Sequence, residues 1–268
     1  MKPELMNPLV LAYLGDGVFE VYVREHLIVE RGIVKQLREQ GIQIAIASGR
    51  PAFVLQNVSE AGIEFDYVVG CNGHSVYKGT TELLGGFSFS EQIVNDLTEF
   101  CVANDYPLSF KFPYANYIYN KMEAFELIHK NLKLTDDLAR KHYERTHHYE
   151  ELPFGGVSFM PQAVADAYSK EHPEVSFLAF DPDRYDVSLS NVNKGIGLEL
   201  LLKEIGLTLD ECIAFGDGAN DVEMLSKVGI AVAMKECHPS LLEVCDYHTD
   251  DCLEDGIAKA LRYYQLID

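Results

Sequence analysis

The segment from residue 212 to residue 225 constrains the fold of this chain more than any other. An apolar run at 212–215 predicts a buried strand, and the hexapeptide 216–221 (Gly-Asp-Gly-Ala-Asn-Asp) then leads into apolar residues at helical spacing. Its carboxylates, Asp217 and Asp221, are four residues apart, one at the strand tip and one at the helix entrance. Sites form at the carboxyl ends of strands in open α/β sheets, and such oxygen donors suit Mg²⁺. The alternative is a turn that uses Gly, Asn and Asp for their dihedral freedom.

The two ends of the chain show the alternation of helix and strand that is typical of an α/β protein. The β-branched run 42–47 predicts a strand covered on both faces, with a helix before it at 33–40 and another after it at 52–61. A second strand is predicted at 66–70. Towards the C-terminus the pattern predicts helices at 195–205 and 222–228, strands at 212–215 and 230–233, and a terminal helix from Leu253. This order predicts a doubly wound parallel sheet with right-handed crossovers.

The middle of the chain has a different character. Residues 81–186 are rich in Tyr and Phe and alternate between short strands and helices. Strands are predicted at 108–112, 117–119, 175–180 and 185–189, and helices at 96–102 and 163–170. We therefore predict a discontinuous core domain, 1–80 plus 187–268, with an inserted α+β cap domain at 81–186.

Charge and composition exclude several classes of function. The net charge of −20 argues against a nucleic-acid partner, because neutralising a phosphate backbone needs clustered Lys and Arg. A small phosphorylated substrate remains compatible, since a metal ion can supply positive charge. No apolar stretch approaches the ~20 residues of a membrane span, so no membrane partner is expected. The six cysteines form no CxxC pair and predict free thiols in a cytoplasmic protein.

Two further groups of residues fall beside predicted strand or helix ends. Ser48, Gly49 and Arg50 follow the strand 42–47 at the entrance of a helix, where a hydroxyl and backbone N–H groups can bind an anion. The alternative is an ordinary turn with Pro51 in the first helical turn. Lys194 precedes the helix 195–205, where its charge can offset that of a phosphoryl oxygen; a solvated lysine is the alternative. Their common place at the carboxyl edge of the sheet favours a phosphate site.

These segments resemble the later motifs of the haloacid dehalogenase superfamily, in particular the Cof-type phosphatases of subclass IIB. The resemblance covers residues 31–268 and rests on 47–51 (Ala-Ser-Gly-Arg-Pro), Asn72-Gly73, 193–195 (Asn-Lys-Gly) and 216–221. It implies a Mg²⁺-dependent hydrolase that acts on small phosphorylated metabolites such as sugar phosphates. It implies catalytic roles for Asp16, Ser48 and Lys194. Substrate-binding residues would be Ser48, Gly49, Arg50, Asn72, Gly73, Lys194 and Asn220. Metal ligands would be Asp16, Asp217 and Asp221.

The first motif of that superfamily, D-x-D-G-T, is absent from this chain. The best alignment places residues 13–18 over it, which keeps Asp16 and Gly17 but puts Leu14 at the position of the nucleophilic aspartate. Leucine cannot form an aspartyl-phosphate, and losing a nucleophile costs on the order of 10⁶ in rate in serine proteases. The alternative is therefore a catalytically silent protein that keeps the phosphate site.

Residues 7–24 have a resemblance of their own, to the opening of Mini-ribonuclease III, an all-helical Mg²⁺ nuclease. Asn7 as N-cap and Pro8 at the first helical position would begin a helix, and Asp16 and Glu20 would share one face of it. This leaves a nuclease as a second alternative. Against it, about 30 residues cannot build that fold, and glycines weaken a helix by ~1 kcal/mol each.

The cap carries two features that remain open. His142, His147 and His148 lie near three glutamates in sequence, which is compatible with a metal cluster, although a solvated cap loop is favoured. The cap is also expected to determine substrate specificity, because such a domain closes over the carboxyl edge of the sheet.

Overall fold

The computed structural model of the chain describes residues 9–11, 32–56 and 65–268. Its strands are β1 (Leu9–Leu11), β2 (Gln43–Ala47), β3 (Tyr67–Gly70), β4 (Ser75–Lys78), β5 (Glu82–Gly86), β6 (Leu108–Lys111), β7 (Asn116–Asn120), β8 (Ala139–Lys141), β9 (Gly156–Phe159), β10 (Val175–Asp181), β11 (Arg184–Leu189), β12 (Cys212–Gly216), β13 (Ile230–Ala233) and β14 (Tyr247–His248). Its α-helices are α1 (Ile33–Glu39), α2 (Glu91–Ala103), α3 (Glu126–Asn131), α4 (Gln162–Glu171), α5 (Lys194–Ile205), α6 (Val222–Leu225) and α7 (Gly256–Tyr263). None of the described helices is both long and apolar enough to cross a bilayer.

The core sheet has the order β14-β13-β12-β1-β2-β3-β4-β5. Its strands from β14 to β3 pair in parallel, because each crossover returns the chain to the same edge. Alternate residues of β2 enter different cores: Ile44 and Ile46 pack with residues of α1 and α7, whereas Ala45 and Ala47 pack with residues of α5 and α6. This double cover confirms the predicted α/β fold.

The expectation of a wholly parallel core sheet is wrong at one edge. Strands β4 and β5 pair antiparallel, β4 with β3 and β5 with β4, as a hairpin closed by a turn that contains Gly79. Helix α6 also ends at Leu225, three residues before the predicted end, and the terminal helix begins at Gly256 instead of Leu253. Of the helix predicted at 52–61, residues 52–55 form a 3₁₀ turn, and 57–64 lie outside the described residues.

Residues Leu9–Leu11 form a strand in the middle of the core sheet, between β2 and β12. The prediction of a helix that begins at Pro8 is therefore wrong for these three residues. These residues form a strand instead of a helix because β2 and β12 each provide a parallel edge for hydrogen bonding. Leu14, Asp16 and Glu20, on which the first-motif alignment and the nuclease alternative depend, lie outside the described residues.

The second sheet has the order β10-β11-β9-β6-β7-β8 and contains the predicted α+β segment. On one face, Phe110 of β6 and Val187 of β11 pack with residues of α2 and α4. Residues Lys111 and Asp186 alternate with them and occupy the opposite face, towards the core sheet. The division into core and cap stays a prediction. Residues 82–86 pair with the core sheet and 187–189 with the cap sheet, which would move both boundaries.

All six cysteines are free, as the sequence predicts. Cys71, Cys101 and Cys212 are buried, and this burial raises the pKa of the Cys101 and Cys212 thiols to about 12. Both thiols are therefore protonated and pack as apolar side chains, Cys101 beside the second sheet and Cys212 beside the core sheet.

His74 joins the core to the cap through a neutral imidazole. Its Nδ1–H donates to the carbonyl of Cys71 (2.8 Å), and its Nε2 accepts the backbone N–H of Leu189 at the end of β11 (3.1 Å). The ring is fully buried, and burial lowers the pKa of His74 to about 4, against the opposing effect of the Cys71 hydrogen bond. Protonation would turn the acceptor Nε2 into a second donor that faces the Leu189 N–H.

We expect His74 to make the stability of the protein pH-dependent between pH 6.5 and about 4. In this range the unfolded histidine binds a proton and the folded one does not, so stability is present above pH 6.5 and is lost as pH falls. The loss approaches roughly 3 kcal/mol. Urea unfolding of His74→Gln across this range should show a shallower pH slope than wild type. The exposed His238→Gln serves as control and should keep the wild-type slope; an unchanged slope in His74→Gln would contradict the assignment.

Candidate active site

The motif residues identified in the sequence meet at the carboxyl edge of the core sheet. Ser48 follows β2, Asn72 follows β3, Asp217 follows β12, and Lys194 is the first residue of α5. The backbone N–H of Asn72 donates to the Ser48 carbonyl (2.9 Å), and Asn220 Nδ2 donates to Asn72 Oδ1 (2.9 Å). The structure therefore links the loops after β2, β3 and β12.

Lys194 and Asp221 form a buried ion pair at the centre of this edge. Lys194 Nζ donates to Asp221 Oδ1 at 2.7 Å, and both side chains have no exposed surface. The prediction of a solvated lysine is therefore excluded. A buried pair of this kind tolerates the loss of neither partner, because the remaining charge would be desolvated without compensation.

The second oxygen of Asp221 holds the loop that carries Asp217. Asp221 Oδ2 accepts the backbone N–H groups of Asp217 (3.1 Å) and Gly218 (3.0 Å). One carboxylate thus fixes both the ammonium of Lys194 and the backbone at Asp217, whose own side chain is half-buried. Gly216 permits this approach, since a Cβ there would lie 2.7 Å from Asp221 Cβ.

The loop after β2 has the geometry of an anion-binding turn. Ser48 is almost fully buried, and its Oγ accepts the backbone N–H of Arg50 at 3.1 Å. Gly49 lies against the cap, because a Cβ at this position would be 3.0 Å from Asp186 Oδ2. The chain after β3 is equally constrained: Gly73 has φ +100°, and a Cβ there would lie 1.9 Å from the Asn193 carbonyl oxygen. This contact lets the start of α5 lie beside the loop.

The site also contains two cap residues that the sequence analysis did not identify. Lys111 of β6 donates from Nζ to the Gly49 carbonyl (2.9 Å) and to Asp186 Oδ1 (2.5 Å). Asp186 of β11 also accepts from Asn72 Nδ2 at 3.1 Å. The one signal in the sequence was a lysine in a mostly apolar strand, which by itself does not distinguish a functional charge from a surface one.

His147 and His148 of the cap pack against other side chains instead of forming a solvated loop, whereas His142 is half-buried and bonds to Thr146 Oγ1. The ring of His147 stacks on Tyr117 with 3.8 Å between the ring centroids. His148 is buried and bonds to Tyr119 Oη (3.0 Å) and Asn95 Oδ1 (3.0 Å). The preference for a solvated loop is therefore wrong for both, because the aromatic residues of β7 give these rings a packing surface. Within the described residues, no three His, Cys, Asp or Glu side chains are grouped as a metal site.

We expect removal of the Lys194 ammonium to destabilise the fold far more than removal of an exposed one. Lys194→Met leaves Asp221 buried without its cation, which costs about 3–5 kcal/mol. The matched control is Lys227→Met, which breaks a 2.8 Å pair with Glu199 at the surface and should cost less than about 1 kcal/mol. Urea unfolding of the three proteins measures both values. Equal costs would show that the buried pair does not hold the loops.

Comparison with known proteins places this architecture in a family. A model of the haloacid dehalogenase-like hydrolases matches residues 29–261. The 5-amino-6-(5-phospho-D-ribitylamino)uracil phosphatase YcsE of Bacillus subtilis is 23% identical over 238 residues, which cover 88% of this chain and 87% of that protein. The HMP-PP phosphatase of Yersinia pseudotuberculosis is 25% identical, with 94% of each chain covered.

A solved structure supports the same fold. The subclass IIB sugar phosphatase BT4131 superposes with a TM-score of 0.76 at 21% identity, covering 97% of this chain and 100% of that one. The family match covers most of the chain, and the named relatives support a phosphoric monoester hydrolase by resemblance. The chain belongs to the haloacid dehalogenase-like hydrolases, as a Cof-type member.

Proposed function

We propose that this protein is a Mg²⁺-dependent phosphatase of small phosphorylated metabolites such as sugar phosphates. The observation that carries the proposal is the meeting of the Ser48 loop, Lys194 and Asp217 at one edge of the sheet, fixed by Asp221. Phosphoryl transfer depends mainly on positioning and on neutralising charge on the phosphoryl oxygens, and these residues supply both. The phosphatases named above, which resemble the chain over most of its length, support this reaction class.

Within this site the phosphate would be held by the turn after β2 and by the start of α5. Ser48 Oγ, which accepts the Arg50 N–H, and the backbone N–H of Gly49 are hydrogen-bonding groups of that turn, and Asn220 lies across from it through Asn72. The ammonium of Lys194 would offset the negative charge of the phosphoryl group. The pair with Asp221 keeps this ammonium in place before a substrate arrives.

The residues of the edge also fit a magnesium ion. Mg²⁺ prefers hard oxygen ligands, and Asp217 and Asp221 bring two carboxylates to the end of β12. We propose both as residues that hold the ion, with Asp221 acting chiefly through the loop of Asp217, because each of its oxygens already accepts a hydrogen bond. Asp16 is the proposed third carboxylate. When bound, the ion would neutralise charge on the phosphoryl oxygens.

The identity of the attacking group separates this proposal from a second candidate. The pairing of β1 matches Leu11 with Ala45 of β2 and with Ala214 of β12. Residue 14 lies outside the described residues, so the alignment of Leu14 with the missing nucleophile remains a prediction from the sequence. A catalytically silent phosphate-binding protein is therefore the second candidate.

Restoring an aspartate at position 14 tests which candidate is right. We expect wild type to release phosphate slowly and Leu14→Asp to release it faster by orders of magnitude, since losing a nucleophile costs on the order of 10⁶. Leu14→Asn is the matched control without a nucleophilic carboxylate. The measurement is phosphate release from p-nitrophenyl phosphate and a panel of sugar phosphates with Mg²⁺.

The remaining outcomes of that assay are equally decisive. Wild-type turnover that matches Leu14→Asp and disappears in Asp217→Asn would show that another group attacks. Phosphate binding without turnover in any variant would support the silent protein. Absence of both binding and turnover would overturn both candidates.

Metal binding can be tested without turnover. We expect Mg²⁺ at a hundredfold excess over its Kd to stabilise wild type by about 2.7 kcal/mol. Asp217→Asn should lose most of the rise in melting temperature that Mg²⁺ causes. The exposed Asp136→Asn, in the cap, is the control and should keep it. A rise that is unchanged in Asp217→Asn would place the metal elsewhere.

A further inference from the structure

The cap residue Lys111 contacts a peptide group in the turn that carries Ser48. Lys111 is the last residue of β6, where its backbone N–H donates to the Gly155 carbonyl (2.8 Å) and its carbonyl accepts the N–H of Phe154 (2.8 Å). The backbone of Lys111 is therefore fixed in the cap sheet, and its side chain extends to the core. Its Nζ lies 2.9 Å from the carbonyl oxygen of Gly49.

A carboxylate of the cap holds the ammonium of Lys111 in this position. Asp186 Oδ1 pairs with Lys111 Nζ at 2.5 Å, and the two side chains are only 19% and 8% exposed. The other oxygen of Asp186 accepts from Asn72 Nδ2 (3.1 Å), so the carboxylate is itself bound to the core. Charge-assisted hydrogen bonds that are shielded from water are stronger than neutral bonds at the surface. The cap therefore presents a fixed positive charge to the Gly49 carbonyl.

The peptide group between Gly49 and Arg50 links this charge to the hydroxyl of Ser48. Its carbonyl accepts from Lys111, and its N–H, on the opposite side of the same planar unit, donates to Ser48 Oγ (3.1 Å). Hydrogen bonds in a chain polarise one another, so a cation at the carbonyl strengthens the bond that the N–H donates. Because Ser48 Oγ accepts this bond, its own O–H is directed away from the peptide and can donate to another group.

We propose that Lys111 is a positioning residue of the phosphate site, which acts through the Gly49–Arg50 peptide to direct the Ser48 hydroxyl as a donor to the phosphoryl group. The proposal rests on the proposed function, since it assumes that the turn after β2 binds phosphate. The ammonium acts from the far side of the peptide and needs no contact with the phosphate. The turn is therefore fully polarised only when the cap lies on the core.

One NMR signal reports on this peptide group. Gly49-Arg50 is the only Gly-Arg pair in the sequence, so protein labelled with ¹³C at glycine carbonyls and ¹⁵N in arginine gives one peak that correlates an amide with its preceding carbonyl. We expect Lys111→Met to move the Gly49 carbonyl carbon and the Arg50 amide proton upfield, because both hydrogen bonds of the peptide weaken. Lys170→Met removes an exposed charge on α4; it is the matched control and should leave the peak in place.

The same peak measures the affinity for inorganic phosphate in the presence of Mg²⁺. We expect Lys111→Met to raise the Kd about three- to tenfold, the effect of weakening one hydrogen bond to a charged group. Lys111→Arg keeps the positive charge and the donors and should recover most of that affinity. Lys170→Met should bind phosphate as wild type does.

A double-mutant cycle with Ser48→Ala tests the route of the effect. If the charge acts through the Ser48 hydroxyl, Lys111→Met should change the Kd of Ser48→Ala by less than about twofold, since the group that it orients is gone. An equal effect in both backgrounds would overturn the proposal, because the ammonium would then act on the anion or on the fold independently of Ser48. Melting curves show whether each variant is folded. If Lys111→Met does not fold, the uncharged Lys111→Gln replaces it with the same expectations.

The outcomes separate this proposal from the proposed function. If phosphate binds wild type and Lys111→Met equally, or if the Gly49–Arg50 peak does not move in Lys111→Met, the positioning role is wrong and the phosphate site stands. If phosphate neither moves the peak of wild type nor gives heat in titration calorimetry, the proposed function itself fails.

Discussion

The ion pair between Lys194 and Asp221 holds together loops that the chain brings from three different strands. With both charges away from water, the pair is stable only as long as each partner remains in place. Its carboxylate also binds the backbone after β12, and the start of α5 packs against Gly73 after β3. A local substitution at this pair would therefore disturb the whole carboxyl edge, which is the surface that a phosphate must meet.

Sequence periodicity predicted the elements whose signals are local, and it failed where partners are distant. The strands β2 and β12 are continuous apolar runs because both faces are covered, and such runs are visible in any window of the sequence. Strand β1 was not visible in this way, because Leu9–Leu11 forms a strand only by pairing with segments that are distant in the sequence. The family motifs similarly predicted Ser48, Lys194 and Asp217, but no local pattern showed that Lys111 would reach Gly49.

Several hydrogen bonds between cap and core lie around the loop after β2. Lys111 and Asp186 reach the Gly49 carbonyl and the Asn72 amide, and Asn72 in turn bonds to Asn220. His74 adds a second link at the end of β11. The cap thus contacts the phosphate loop directly through the side chains of Lys111 and Asp186.

The place of β1 in the centre of the core sheet has a consequence for how the chain reaches its fold. A strand from the beginning of the sequence pairs on one side with β2 and on the other with β12, near the end. During synthesis β12 emerges late, so the central position cannot be completed until most of the chain is made. Closing such a long loop carries a large entropic cost and slows folding. Strand β1 can cover the edge of β2 as soon as both are made, but until β12 follows, the other edge of β1 has no partner and offers a pairing surface to other chains.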